Sequence, residues 1–181
     1  MSLAKEYLDT VIKRLQYYKS LGDKTFAQME EVDFYYQPNE ASNSVAIIIQ
    51  HMYGNMLSRW TNFLTEDGEK EWRERDKEFE VQSYSKEQLL DLWEKGWECF
   101  IGALSSLKKK HLKKMVSIRD EKLSVVDAIN RQVAHYSYHI GQIVYVARMI
   151  KNENWKSLSI PKGASDDYNK ADGIKDPAKS F

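Results

Sequence analysis

The chain has 181 residues, and its 27 Lys and Arg against 27 Asp and Glu give a formal net charge of zero. This balance gives no overall attraction to nucleic acid or to an acidic membrane. Hydrophobic residues make up 42% and charged residues 30%, which excludes a disordered tail protein and allows one domain with a sizeable core. The single cysteine, Cys99, excludes an intrachain disulfide and indicates a reducing compartment.

The scarcity of turn-forming residues, with 8 glycines and 3 prolines, favours long helices over a many-stranded sheet. Apolar residues recur at three- and four-residue steps from Leu3 to about Gln28, which predicts a first amphipathic helix. The second predicted helix begins near Ser42 or Asn43, either of which can cap it, and ends near Leu64.

A highly charged stretch without apolar periodicity follows, and we expect residues 65–83 to form a long exposed crossover. Ser85 and Gln88 have the spacing of a capping box, so they predict the start of a third helix. Residues 115–118 alternate between apolar and polar positions, which predicts a short extended segment before the last long helix.

The fourth predicted helix begins at Ser124 or Asp127 and ends near Met149. Four amphipathic helices with a long connection between the second and third predict an all-α fold, a four-helix bundle with a crossover. We expect the bundle to span residues 1–163 and residues 164–181 to form a flexible C-terminal tail, since that segment is polar and has few apolar anchors.

Three of the four histidines are placed where they can bind a metal ion. His135 and His139 are four residues apart in the fourth predicted helix, so one ion can contact both imidazoles. His51 lies in the apolar run of the second helix, which can face the fourth helix in a bundle. Three neutral nitrogen ligands leave a coordination position open, as catalytic sites do, and imidazole suits zinc or nickel.

The same histidines also fit a simpler hypothesis, in which they are hydrogen-bonded core residues of a dimerisation bundle. Burying an imidazole costs free energy unless its polar atoms find partners, and metal binding is only one way to provide them. The spacing alone does not separate the two hypotheses, and no residue is assigned a catalytic role from the sequence.

Further polar residues continue the line of the histidines along the same helices. Asn55 follows His51 by four residues, and Gln142 follows His139 by three, so both amides can lie beside a metal and bind substrate. The alternative is that these amides bond only to backbone or water. Arg59 can meet an anionic substrate group or simply pair with a carboxylate at the end of the bundle.

Two segments that carry the histidines, residues 50–55 (QHMYGN) and 135–142 (HYSYHIGQ), make the chain resemble the DinB/YfiT-like superfamily. Within it, the chain is similar to a bacterial branch without an assigned substrate. The features shared with that branch are residues 58–60 (SRW), residues 67–70 (DGEK), Arg73, Arg75, Glu78-Phe79, Trp155 and residues 158–163 (LSIPKG).

This resemblance implies a four-helix bundle with a long crossover between helices two and three. It implies a divalent metal held by His51, His135 and His139, all three of which match. Members of the superfamily include bacillithiol- and mycothiol-dependent transferases and isomerases, in which the metal activates a low-molecular-weight thiol, and homodimers are common among them. In the crossover, Arg73 and Arg75 either bind an anionic thiol or form a solvated, self-paired charge cluster, which we favour.

The function expected from the residues and the resemblance is a metal-dependent enzyme that uses a thiol such as bacillithiol, or water, for transfer or hydrolysis. The alternative is a non-catalytic metal- or ligand-binding bundle of a stress response. We expect a small-molecule thiol or electrophile as partner, no nucleic acid or membrane, and a homodimer. Charged residues at Lys5, Glu6 and Asp9, where a signal peptide would be apolar, favour a cytoplasmic location.

Overall fold

Four long helices and a two-stranded hairpin make up the fold in the computed structural model, which describes residues 2–181. This confirms the predicted all-α four-helix bundle with a crossover between the second and third helices. The elements in chain order are α1 (Leu3–Phe26), α2 (Val45–Trp60), α3 (Lys86–Ser106), β1 (Met115–Ile118), β2 (Glu121–Ser124), α4 (Val125–Lys151) and a short α5 (Ser165–Lys170).

The bundle core lies between four helices that each contact two others. Helix α1 packs against α3 and α4, and α2 packs against the same two helices. Aromatic rings fill the centre, where Trp97 of α3 and Tyr136 of α4 are at most 1% exposed and their ring centroids are 6.0 Å apart. Among the helices of residues 2–181, none carries an apolar stretch long enough to cross a membrane.

Serine side chains cap three of the long helices. Ser85 accepts a hydrogen bond from the backbone of Gln88, whose side chain bonds back to Ser85, so the predicted capping box is confirmed. Ser124 caps α4, which decides between the two predicted starts. The cap of α2 is Ser44, one or two residues after the predicted positions, because its hydroxyl accepts a bond from the N–H of Ile47.

Helix α2 ends at Trp60, four residues before the predicted end. Thr61 adopts an extended conformation and Asn62 has a φ of 50°, so the chain leaves the helix at once. The remaining apolar residues of the run, Phe63 and Leu64, pack against the core from the loop that follows. Because these two residues are apolar, they continue the helical pattern of the sequence beyond the point where the backbone leaves the helix.

The crossover between α2 and α3 is only partly exposed, so the prediction of an exposed, solvated charge cluster is wrong for its central residues. The side chains of Lys70, Arg73 and Glu78 are 7%, 2% and 9% exposed, whereas Arg75 lies at the surface. The 3₁₀ turn at residues 75–79 packs against α2 and carries Glu78 inward. Burial of these charges is tolerated because each is paired with a charge of opposite sign or with a histidine.

The predicted extended segment at residues 115–118 is confirmed as β1, which pairs antiparallel with β2. Arg119 and Asp120 join the strands with φ values of 57° and 63°, the geometry of a type I′ hairpin turn. The Asp67 carboxylate of the crossover accepts hydrogen bonds from the backbone N–H groups of both turn residues, at 2.8 and 3.0 Å. The hairpin is thereby tied to the crossover.

The C-terminal segment returns to the first helix. Asp176 forms two hydrogen bonds of 2.8 Å with the Arg14 guanidinium on α1, and Ala178 is 3% exposed. The 3₁₀ turn that contains Ala178 packs on α1. The flexibility of residues 164–181 and the domain boundary at residue 163 stay predictions.

Candidate metal centre

Three imidazole rings from α2 and α4 meet inside the bundle. Nε2 of His135 lies 3.0 Å from Nε2 of His139 and 3.4 Å from Nε2 of His51. Each histidine offers one ring nitrogen to a group in which all three atoms lie within 4.8 Å of one another, close enough to hold a metal ion. The structure therefore brings together all three histidines that the sequence singles out.

The three histidines come together because α2 and α4 run in opposite directions. Ile48 near the start of α2 lines a pocket with Val146 near the end of α4, whereas Arg59 at the end of α2 shares a cavity with Arg131 near the start of α4. His51 therefore faces the one turn of α4 that carries both other histidines.

Each of the three rings has its Nδ1 atom turned to a hydrogen-bond acceptor. His51 Nδ1 lies 2.9 Å from Oε2 of Glu78, and His139 Nδ1 lies 2.8 Å from Oε1 of Gln142. His135 Nδ1 lies 3.3 Å from Oε1 of Gln132, one helical turn earlier. Acceptors at all three Nδ1 atoms place the proton there and leave each Nε2 with a free lone pair.

This donor set fits a divalent cation. Three Nε2 lone pairs face one another, and none of them can donate a hydrogen bond to the next in this tautomer. The three lone pairs repel one another. A cation between them would offset this repulsion and bind all three, which is how neutral imidazole binds zinc or nickel. Histidines that bind metals usually donate their other N–H to a carboxylate or amide oxygen, as these three do.

The protonation state of the α4 histidines agrees with this role. Burial, together with the neighbouring His139, His51 and Arg131, lowers the pKa of His135 to about 3. Burial, partly offset by the hydrogen bond to Gln142, lowers the pKa of His139 to about 4. At neutral pH both rings are uncharged, so a metal ion need not displace a proton from Nε2.

Behind His51 lies a chain of charged and aromatic contacts that sequence reasoning missed. Arg73 holds Glu78 with two hydrogen bonds, from Nε to Oε1 at 2.7 Å and from Nη2 to Oε2 at 2.9 Å. Burial alone would raise the pKa of Glu78, but His51 and Arg73 lower it, so the carboxylate stays charged beside the ring. Phe79 stacks on His51 with centroids 4.8 Å apart.

Little in the sequence could have assigned these roles. Glu78 and Phe79 stand in a stretch without periodicity, and Glu78 is 27 residues from the histidine it contacts. The sequence signal for them was the presence of Glu78-Phe79 among the features shared with the similar bacterial branch.

The three residues expected to bind substrate have different surroundings. Asn55 and Arg59 line a cavity of about 250 Å³ that opens beside His51 and His135. Asn55 Oδ1 also accepts a hydrogen bond of 3.0 Å from the hydroxyl of Tyr136, so its amide has a protein partner.

Arg59 is 5% exposed and bonds to the backbone oxygen of Gly68 and to Glu69 at 2.9 Å. Arg59 therefore forms an ion pair with a carboxylate, as one of its two hypotheses predicts. Gln142 contacts His139 and the hydroxyl of Tyr138 instead of the cavity. Substrate binding by Asn55, Arg59 and Gln142 stays a prediction.

Comparison with known proteins identifies the family. A family model described as "Protein of unknown function (DUF1572)" matches residues 2–164, and the chain belongs to that family. No curated protein and no solved structure matches the chain at a significant level. The matched segment contains all three histidines and the whole crossover, so the arrangement described above lies inside the family's region.

Proposed function

We propose that this chain is a metal-dependent enzyme of the DinB/YfiT-like superfamily, with His51, His135 and His139 as ligands of one zinc or nickel ion. The single observation that carries the proposal is the convergence of three Nε2 atoms whose partner Nδ1 atoms all face acceptors. Such a site, when loaded, acidifies a thiol or a water molecule and supplies a nucleophile at neutral pH.

The residues around the ring cluster have separate tasks in this proposal. Glu78 keeps the proton of His51 on Nδ1 and fixes the orientation of the ring, and Arg73 keeps Glu78 ionised. Gln132 and Gln142 do the same for the two α4 histidines without adding charge. Since one anionic residue stands behind three neutral ligands, a divalent ion at the site keeps a net positive charge, which favours anionic nucleophiles.

The proposed reaction is transfer of a low-molecular-weight thiol, such as bacillithiol, to a small electrophile, or hydrolysis by water. The open cavity beside His51 and His135 supports this, since a substrate can approach these two ligands from it. The predicted homodimer and cytoplasmic location accompany the proposal as expectations.

The decisive experiment is metal content per chain, by elemental analysis of protein purified without a histidine tag. We expect about one equivalent of zinc or nickel in the wild type and its loss in His135→Ala. His111→Ala is the matched control, because His111 lies in the 3₁₀ turn at residues 109–111, outside the cluster. Absence of metal from the wild type, even after zinc or nickel is added, would overturn the proposal.

Turnover needs a second experiment, in which thiol transfer to model electrophiles is measured for the metal-loaded wild type and for His51→Ala. We expect activity in the wild type and its loss in the variant, with the helical circular dichroism spectrum unchanged. A protein that holds its metal but shows no transfer or hydrolysis would instead be the non-catalytic bundle.

A further inference from the structure

The cavity beside the histidines has an unusual charge. Besides His51 and His135, it is lined by two amides and by five arginines, but by no carboxylate of residues 2–181. The arginines come from four separate parts of the fold: α2, the crossover, the hairpin turn and α4. They are Arg59, Arg73, Arg75, Arg119 and Arg131.

The carboxylates that contact these arginines do not balance their charge. Glu69 lies within hydrogen-bond distance of Arg59 and Arg119, and Glu78 pairs with Arg73, so two acids face five guanidinium groups. A third acid lies 3.9 Å from Arg75 but is fully exposed, where solvent screens its attraction. The cavity therefore keeps an excess of positive charge.

Two of the arginines are free to bind a ligand. Arg131 is exposed and makes no ion pair or side-chain hydrogen bond within the part of the chain that the structure describes. Arg75 lies with its guanidinium 5.0 Å from the ring centroid of Phe79, which in turn stacks on His51. This stacking holds the Arg75 charge near the histidine cluster without neutralising it.

Arg73 adds an independent sign of an unfilled partner. Its side chain is 2% exposed, and its Nη1 atom is buried without a hydrogen-bond partner among residues 2–181. Nη1 lies 3.8 Å from Glu69 Oε2, which is too far for a hydrogen bond. A buried guanidinium donor without a partner costs free energy, and such an exception calls for a physical explanation.

On both α2 and α4, a line of polar residues leads from the histidine cluster to the arginines. On α2, His51, Asn55 and Arg59 follow one another at four-residue steps, each about 6 Å along the axis. On α4, the corresponding order towards the N-terminus is His139, His135 and Arg131. Because α2 and α4 run in opposite directions, both lines lead from the histidine cluster to the arginines.

We propose that the arginine cavity binds a carboxylate or phosphate group of the substrate and holds its reactive end at the histidines. Guanidinium groups match both oxyanions with paired hydrogen bonds, and the fork geometry makes this recognition specific. The inference rests on the proposed function for the reactive end, whereas anion binding by the cavity can be measured without it. The substrate class is thus a small anionic molecule.

Two probes test the anion site by calorimetric titration of the full-length chain at low ionic strength. Inorganic phosphate and succinate represent the two oxyanions, and succinamide is the neutral control. We expect saturable one-to-one binding of at least one anion and none of succinamide. Preference for succinate would identify a carboxylate substrate, and preference for phosphate a phosphorylated one.

Matched variants locate the binding. Arg131→Gln and Arg148→Gln both remove an exposed arginine of α4, but only Arg131 lines the cavity. We expect about tenfold weaker binding in Arg131→Gln, as for loss of one charge-assisted hydrogen bond, and wild-type binding in Arg148→Gln. Arg75→Gln provides a second test, and we expect it to weaken binding as well. Equal loss in both α4 variants, or no saturable binding at all, would overturn the inference.

The same titration separates this inference from the proposed function. His139 does not line the cavity, so His139→Ala and chelator-treated wild type should lose metal and still bind the anion. If the wild type binds the anion but does not bind metal, the inference stands and the proposal of a metal-dependent enzyme is overturned. Binding that disappears whenever the metal is removed would place the anion on the metal and overturn the inference.

Discussion

The Glu78 carboxylate lies 2.9 Å from Nδ1 of His51, and Arg73 donates two hydrogen bonds to the same carboxylate. This contact joins the crossover to the candidate metal centre on α2. It makes the orientation of the His51 ring depend on a residue 27 positions away in the sequence.

Replacement of Glu78 by Gln should lower metal affinity by about 10–100-fold, because the charged acceptor that orients His51 is lost. The measurement is competition for zinc with a chromophoric chelator. Glu74→Gln is the matched control, since Glu74 is an exposed crossover carboxylate that pairs with Lys77 and not with His51 among residues 2–181. Equal zinc affinity in Glu78→Gln and wild type would show that the contact has no role at the centre.

Gly54 should be required for the position of Glu78. A Cβ atom added at Gly54 would overlap Oε1 and Cδ of Glu78, so the carboxylate would have to move away from His51. We expect Gly54→Ala to weaken zinc binding severalfold in the same competition assay.

The fold should tolerate this change, because alanine is the better helix former by about 1 kcal/mol. Gly102→Ala is the control, as an added Cβ there meets no atom within 4 Å. A Gly54→Ala protein with wild-type zinc affinity would refute the close packing of Gly54 against Glu78.

The hydroxyl of Tyr136 should stabilise the bundle next to the centre. It donates to Asn55 Oδ1 at 3.0 Å and accepts from Trp60 Nε1 at 3.2 Å, and the whole side chain is buried. Tyr136→Phe leaves two buried polar groups without a partner, so we expect a loss of about 1–3 kcal/mol in the free energy of unfolding. Urea denaturation measures it.

The control is Tyr145→Phe, which changes a tyrosine that is 67% exposed on the same helix. We expect this surface change to lower the free energy of unfolding by less than about 0.5 kcal/mol. Similar losses in both variants would mean that the buried hydroxyl contributes nothing specific.

Asp67 should make stability depend on pH through the hairpin turn. Burial alone would raise its pKa, but hydrogen bonds from the backbone of Glu69, Arg119 and Asp120 and from the Ser117 side chain hold it well below the usual range. A folded-state pKa below the unfolded value of about 3.9 adds stability that is complete above that value and decreases as pH falls.

We therefore expect Asp67→Asn to be less stable than the wild type at pH 7 by about 1–2 kcal/mol. The difference should narrow as the pH falls below about 4, where the wild-type carboxylate begins to lose its advantage. Thermal or urea unfolding between pH 2 and pH 7, roughly, measures it, with the exposed Asp172→Asn as control. A difference that stays constant down to the acid limit would contradict the ionic role of Asp67.

Much of the fold could be predicted because its signals are local. The Ser85–Gln88 capping box and the apolar steps of the four helices depend on neighbours within one or two turns. The end of α2 was predicted four residues too late, because Phe63 and Leu64 remain packed against the core after the helix stops. Apolar periodicity reports burial, and burial continues into loops.

The sequence by itself determined that His135 and His139 share one face of a helix, because the helical period places every fourth side chain on one side. Only the tertiary structure decided that His51 lies 3.4 Å from His135, since this requires α2 and α4 to pack in opposite directions. It alone also decided that Glu78 lies behind His51. The physical reason is that a crossover without periodicity is positioned by long-range ion pairing and burial, which neighbours along the chain do not encode.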